Sequence, residues 1–83
     1  MKITVKLFAT LEKYLPEDAR NHQVTLEVPP GASVQACLDR FHIPEKLRHL
    51  VLINGVYIPP DQRMTTELKE GDVVAVWPEI AGG

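Results

Sequence analysis

Gly82-Gly83, which close the sequence after Glu79-Ile80-Ala81, are the residues whose type and position best suit chemistry. Glycine has no side chain and admits almost any backbone conformation. A Gly-Gly end can therefore enter a narrow channel of another protein and present the Gly83 carboxylate there. The competing reading is a frayed terminus, and the residues ahead of the pair must decide between the two.

Other side chains offer little chemistry. Cys37 falls on the apolar stripe of a helical pattern, between Val34 and Leu38, and reads as an inert core thiol. A single cysteine cannot form an internal disulfide and is compatible with a reducing cytosol. His22, His42 and His49 lack metal-type spacing and cysteine partners, so no metal site is expected. The carboxylates are scattered, with no pair that marks acid–base catalysis. Glu70-Gly71-Asp72 reads as a turn, and no glycine-rich nucleotide motif is present. Lys46, Arg48 and His49 form a small basic cluster, read as a solvated face.

The 83 residues make one small domain with a modest core. Hydrophobic content of 45% and charged content of 24% fit an ordinary globule. A net charge of −2 and a pI near 5.8 argue against a nucleic-acid face. The apolar run from Val73 to Trp77 is too short to cross a bilayer. Met1-Lys2-Ile3 opens directly into a strand pattern without a targeting signal, so a cytoplasmic location is expected.

The chemistry-bearing end needs a body to carry it. Residues 2–8 alternate, with Ile3, Val5 and Leu7 on one face. Residues 9–15 hold helix formers that Pro16 stops, and residues 17–21 are polar loop. Residues 22–28 alternate again, with Val24, Leu26 and Val28 inward, before the Pro29-Pro30-Gly31 turn. Ser33 fits an N-cap, and Val34, Cys37, Leu38 and Phe41 follow at helical spacing, with Pro44 ending the helix. Residues 45–49 add a further turn. Residues 50–53 are a buried strand, Asn54-Gly55 a two-residue hairpin turn, and residues 56–58 the return. Residues 59–70 read as loop. A last strand covers 73–77, and Pro78 releases the chain from the sheet because it lacks a ladder donor.

This order predicts an α+β fold of the β-grasp, ubiquitin-like type. The first two strands form a hairpin. The last strand pairs with the first, in parallel, at the centre of a mixed sheet, and one main helix packs on one face. A ferredoxin-type sandwich shares part of the order but needs a second full helix over 59–70. The domain spans residues 1–78, and residues 79–83 form a flexible tail.

Three segments carry a family resemblance: Val5-Lys6-Leu7-Phe8-Ala9, Val51-Leu52-Ile53-Asn54-Gly55, and Leu68-Lys69-Glu70-Gly71-Asp72-Val73-Val74-Ala75-Val76-Trp77-Pro78 before Gly82-Gly83. Together they resemble the MoaD/ThiS family of sulfur carriers over nearly the whole chain. The aromatic-Pro pair ahead of Gly-Gly most resembles the molybdopterin synthase small subunits, the MoaD branch. Residues 17–21 and 44–49 match nothing specific.

The resemblance implies a non-catalytic carrier. A ubiquitin-activating-like adenylyltransferase of the MoeB/ThiF type would supply ATP and Mg²⁺ and join AMP to Gly83. A sulfurtransferase persulfide would then leave a thiocarboxylate there. A large subunit of the MoaE type would accept the sulfur for molybdopterin, in molybdenum or tungsten cofactor assembly. No cofactor is expected on the carrier itself beyond the transient AMP or sulfur on Gly83. Thiamine thiazole formation, tRNA thiolation and conjugation of Gly83 to lysines remain alternatives. By the same resemblance Tyr57 and Trp77 are candidate docking residues, with Pro78, Ile80 and Ala81 beside them. Gly82 provides the narrow passage. Extended, the six residues from Pro78 to Gly83 reach at most roughly 20 Å.

Overall fold

Alternation along Lys2–Leu7 sends Ile3, Val5 and Leu7 to one side, and all three are buried. They form β1 in a computed structural model that describes residues 1–79. The remaining elements are β2 (Gln23–Glu27), α1 (Val34–Asp39), β3 (Leu50–Ile53), β4 (Val56–Tyr57) and β5 (Val73–Trp77). Short 3-10 turns cover Ala9–Tyr14, Glu45–Leu47 and Pro60–Gln62. The five strands lie in one sheet in the order β2-β1-β5-β3-β4. β5 runs parallel to β1 at the centre, and the other pairs are antiparallel. This is the expected β-grasp.

The core lies on one face of the sheet. Val34, Cys37 and Leu38 of α1 cluster with Ile3, Val5, Leu7, Val51, Ile53, Val74 and Val76. Each fully buried aliphatic side chain of this kind stabilises by about 1.5–3 kcal/mol relative to exposure. β2 is an edge strand, so Val24 and Leu26 are only half-buried while Val28 is enclosed.

The start of α1 is fully satisfied. Ser33 Oγ accepts the Ala36 N–H at 3.0 Å. The Val34 and Gln35 N–H groups donate to Thr66 O and Arg63 O. Thus the 59–70 segment, which reads as loop, caps the helix with its carbonyls and buries Leu68 beneath it. The helix is shorter than its apolar spacing predicts. It stops at Asp39, and Arg40, Phe41 and His42 each donate to the third residue back. His42 then takes a left-handed φ of 60°, and this reversal, not Pro44, ends the element.

Two tight turns set the register of the hairpins. Asn54 and Gly55 have φ of 50° and 85°, the double positive φ of a type I′ turn. Asn21-His22 makes a second such turn without glycine, at φ 54° and 64°, with Arg20 and Gln23 exchanging both backbone hydrogen bonds. Within the segment read as a plain polar turn, Asp72 locks the sheet end. Its carboxylate accepts from the Lys69 N–H at 2.8 Å and from Asn54 Nδ2 at 2.9 Å. Asn54 Oδ1 in turn accepts the Val73 N–H. Asp72→Ala should therefore cost about 1–2 kcal/mol, read as a lower urea midpoint with an unchanged slope. An unaltered midpoint would remove Asp72 from this role.

Candidate functional site

The strand register that buries one sheet face determines what the other face carries. Opposite residues on paired strands point the same way. Leu50 pairs with Trp77, Leu52 with Ala75 and with Tyr57, and Val73 with Thr4. Leu50, Leu52, Tyr57, Val73, Ala75 and Trp77 therefore share the face turned away from α1. Among the described residues no helix covers it. Tyr57 is 49% exposed, and the others are half-buried. From strand spacing and rise, Tyr57 and Trp77 stand about 12 Å apart, well within the footprint of one protein interface. Towards β1 and β2 the same face becomes polar, with Lys6, Thr25 and Glu27.

Trp77 is not a lone aromatic on this face. Its ring stacks on Phe8 at 4.4 Å and 5° between planes. Phe8 stacks in turn on His22 at 5.8 Å, and His22 Nδ1 lies 3.1 Å from Glu12 Oε1. The Phe8 N–H donates to Val76 O, fixing the stack to the strand that leads to the C-terminus. Sequence reasoning singled out Tyr57 and Trp77 but missed Phe8. Its signal was present: in the alternation of residues 2–8, Phe8 is an aromatic on the otherwise polar side of β1.

Pro78 follows β5 directly and is buried against the chain's own body. It ends the strand and has little surface left for a partner, which limits the docking role expected of it. Glu79 is exposed. Ile80, Ala81, Gly82 and Gly83, expected to carry the chemistry and part of the docking, lie outside the described residues.

Cys37 is 1% exposed, and burial pushes its thiol from the ordinary 9.0 to about 11, with Arg40 opposing weakly. It has no part in the face above. Its raised value makes it an alkaline liability: the folded state holds the proton that the unfolded chain loses, so stability falls as pH climbs from about 9 towards 11. At pH 8 native Cys37 should resist a thiol reagent and react fully in denaturant. Rapid native labelling would contradict that burial. Among the described residues no three His, Cys, Asp or Glu side chains gather to hold a metal ion. No described helix is long and apolar enough to cross a membrane.

Of the basic cluster, Lys46 and His49 are exposed as expected, but Arg48 is not. Arg48 is 8% exposed, donating from Nε and Nη2 to Ile43 O and from Nη2 to Asp39 Oδ1 at 2.8 Å. It pins the chain reversal that ends α1. Arg63 is 6% exposed and stitches the open end of the β3–β4 hairpin through Ile58 O, Arg48 O and His49 O. Long amphipathic side chains can bury their stems in this way, which a charge count does not reveal.

Comparison with known proteins agrees with this architecture. The ThiS family model matches residues 5–83. SAMP1 from Haloferax volcanii is 23% identical over 100% of both chains, with a TM-score of 0.71. A putative molybdopterin converting factor subunit 1 from Pyrococcus furiosus is 27% identical, over 95% of this chain and 98% of that one, with a TM-score of 0.66. A chain of the complex of subunits 1 and 2 of the molybdopterin-converting factor from Helicobacter pylori is similar in fold, at 18% identity, 100% coverage of both chains and a TM-score of 0.61. No curated protein matches significantly.

Proposed function

The chain belongs to the ThiS family of ubiquitin-like sulfur carriers, and on that premise we propose that Gly83 carries sulfur as a thiocarboxylate for molybdopterin synthesis. The observation that carries the reading is the uncovered apolar face of β3, β4 and β5, which ends at Trp77 where the chain departs towards Gly82-Gly83. A body that docks there delivers the terminal residues into its partner.

The chemistry follows from what a carboxylate lacks. Charge and resonance protect its carbonyl from nucleophiles. A Gly83 oxygen attacks the α-phosphorus of ATP on an adenylyltransferase, pyrophosphate leaves, and the acyl-adenylate is electrophilic. Mg²⁺ bound by that partner neutralises the phosphates. A persulfide sulfur from a sulfurtransferase then attacks the carbonyl and AMP leaves. A thiol cleaves the resulting acyl disulfide, taking the carrier sulfur's partner into a new disulfide and leaving the thiocarboxylate. The carrier itself supplies reach and docking, and the partners supply catalysis.

Two observations favour the molybdopterin route over other sulfur pathways. One is the Trp77-Pro78 pair, whose aromatic member is built into the docking face. The other is the likeness to the Pyrococcus furiosus protein. On this reading a second subunit accepts the sulfur, in a complex of two subunits such as the one the Helicobacter pylori molybdopterin-converting factor forms.

Intact mass of the chain, isolated from its host without harsh reduction, tests the proposal. The expected species is heavier by one oxygen-to-sulfur exchange, localised to Gly83. Gly83 found instead in amide linkage to a lysine of another protein would replace this reading with that of a modifier.

A further inference from the structure

Arg63 is a buried cation without a carboxylate. Among the described residues its guanidinium bonds only to the carbonyls of Ile58, Arg48 and His49, with the Tyr57 hydroxyl beside it. Buried charge is ordinarily compensated by an opposite charge. The ionised side chain that acts on it is another cation, Arg48. Burial chiefly, with that like charge contributing, lowers the Arg63 pKa, and Tyr57 opposes the shift.

Arg48 has donor capacity to spare. Its Nε and Nη2 are engaged, while Nη1 makes no hydrogen bond among the described residues. No enclosed side-chain nitrogen lacks a partner, so Nη1 reaches solvent. Both arginines line one open recess of about 320 Å³, together with Gln35, Lys46, Pro60 and Glu45. Arg48, Arg63 and Lys46 face the Glu45 carboxylate there, and Asp39 pairs with Arg48 from outside the lining, so the recess keeps a positive balance in a chain whose net charge is −2. The basic character is local and runs against the whole.

We propose that this recess, between α1 and the Glu45–Leu47 and Pro60–Gln62 turns, binds an oxyanion: a phosphate or carboxylate group. Arg48 Nη1 and Lys46 Nζ supply the direct donors, and Gln35 can add an amide N–H. Arg63 acts from behind as a fixed positive charge, since each of its three nitrogens already donates to a carbonyl. The guanidinium fork is already immobilised by Ile43 and Asp39, so an anion meets a pre-ordered donor. The site is separate from the apolar face but adjoins it at Tyr57, whose hydroxyl lies by Arg63. The oxyanion has two sources, a phosphate-bearing small molecule or an acidic side chain of a protein docked on that face. The proposal does not depend on sulfur transfer.

The test is a titration of the full chain followed by amide and arginine Nε–H resonances. Sodium phosphate and sodium acetate are compared at ionic strength matched with chloride. Saturable shifts confined to Arg48, Arg63 and the Lys46 region are expected, at concentrations where chloride alone moves nothing. Lys46→Glu, an exposed position, should leave the fold's spectrum intact and weaken the anion by roughly tenfold, as loss of about 1.4 kcal/mol implies. Phosphate binding tenfold tighter than acetate assigns a phosphoryl ligand. Comparable or tighter acetate binding assigns a protein carboxylate. Shifts that never saturate and spread over all lysines and arginines overturn the proposal, as does equal binding by Lys46→Glu.

Discussion

A chain lacking only Gly83 should fold normally and load no detectable sulfur. The new terminus would be Gly82, with the same carboxylate on the same residue type. What changes is reach, by one extended residue or about 3.5 Å. A reacting atom misplaced by about 1 Å can cost 10²-fold in rate, so a shift of this size should remove adenylation and transfer together. Gly82→Ile tests the other property of the pair. It keeps the length and adds a β-branched side chain where a narrow channel leaves no room and where stiffness replaces freedom. The buried core lies within residues 1–79, so stability is expected to stay within about 0.5 kcal/mol. Thiocarboxylate formation is measured by mass after incubation with the adenylyltransferase, ATP and sulfur source. Full loading of the Gly83-deleted chain would mean that neither Gly83 nor the exact reach of the end is needed, and would overturn the assignment of the sulfur to Gly83.

The fold was largely legible because its signals are local and strong. Alternation over residues 2–8 and the short apolar run over 73–77 mark the two parallel strands, and Asn54-Gly55 marks a turn that needs two positive φ values. The parts that failed depend on distant partners. The end of α1 is decided by Arg48 reaching back to Ile43 and Asp39. Nothing in the apolar spacing up to Phe41 announces that. The same contact turns Arg48 from an apparent surface charge into a buried one. Arg63 sits in a stretch that reads as loop, yet its carbonyl caps the helix while its side chain closes the β3–β4 hairpin. On the candidate site, Tyr57 and Trp77 could be singled out as residue types, but their shared face needed the strand register. Phe8 needed the stack on Trp77 to become visible.

Trp77→Ala should weaken docking to both the adenylyltransferase and the accepting subunit by roughly 30-fold or more, the effect of losing about 2 kcal/mol at an interface anchor. Trp77 stands at the end of β5 nearest the terminal residues, so a partner that takes Gly83 must cover it first. Its stack on Phe8 holds the ring in place before binding, which spares the partner the entropy of ordering it. The same stack complicates the test, because an aromatic pair contributes about 0.5–1.5 kcal/mol to folding beyond burial. Trp77→Phe separates the two roles, keeping a ring on Phe8 and most of the apolar face. It should fold as the parent does and bind within a few-fold of it. Tyr57→Ala, on the more exposed side of the same face, should cost less folding stability and still weaken docking. Val56→Ala serves as the contrast: Val56 is 63% exposed but points to the other side of β4. Calorimetric titration of each variant against both partners gives the comparison. Equal affinity for Trp77→Ala and the parent, with both folded, would mean that the uncovered sheet face is not where the partners dock.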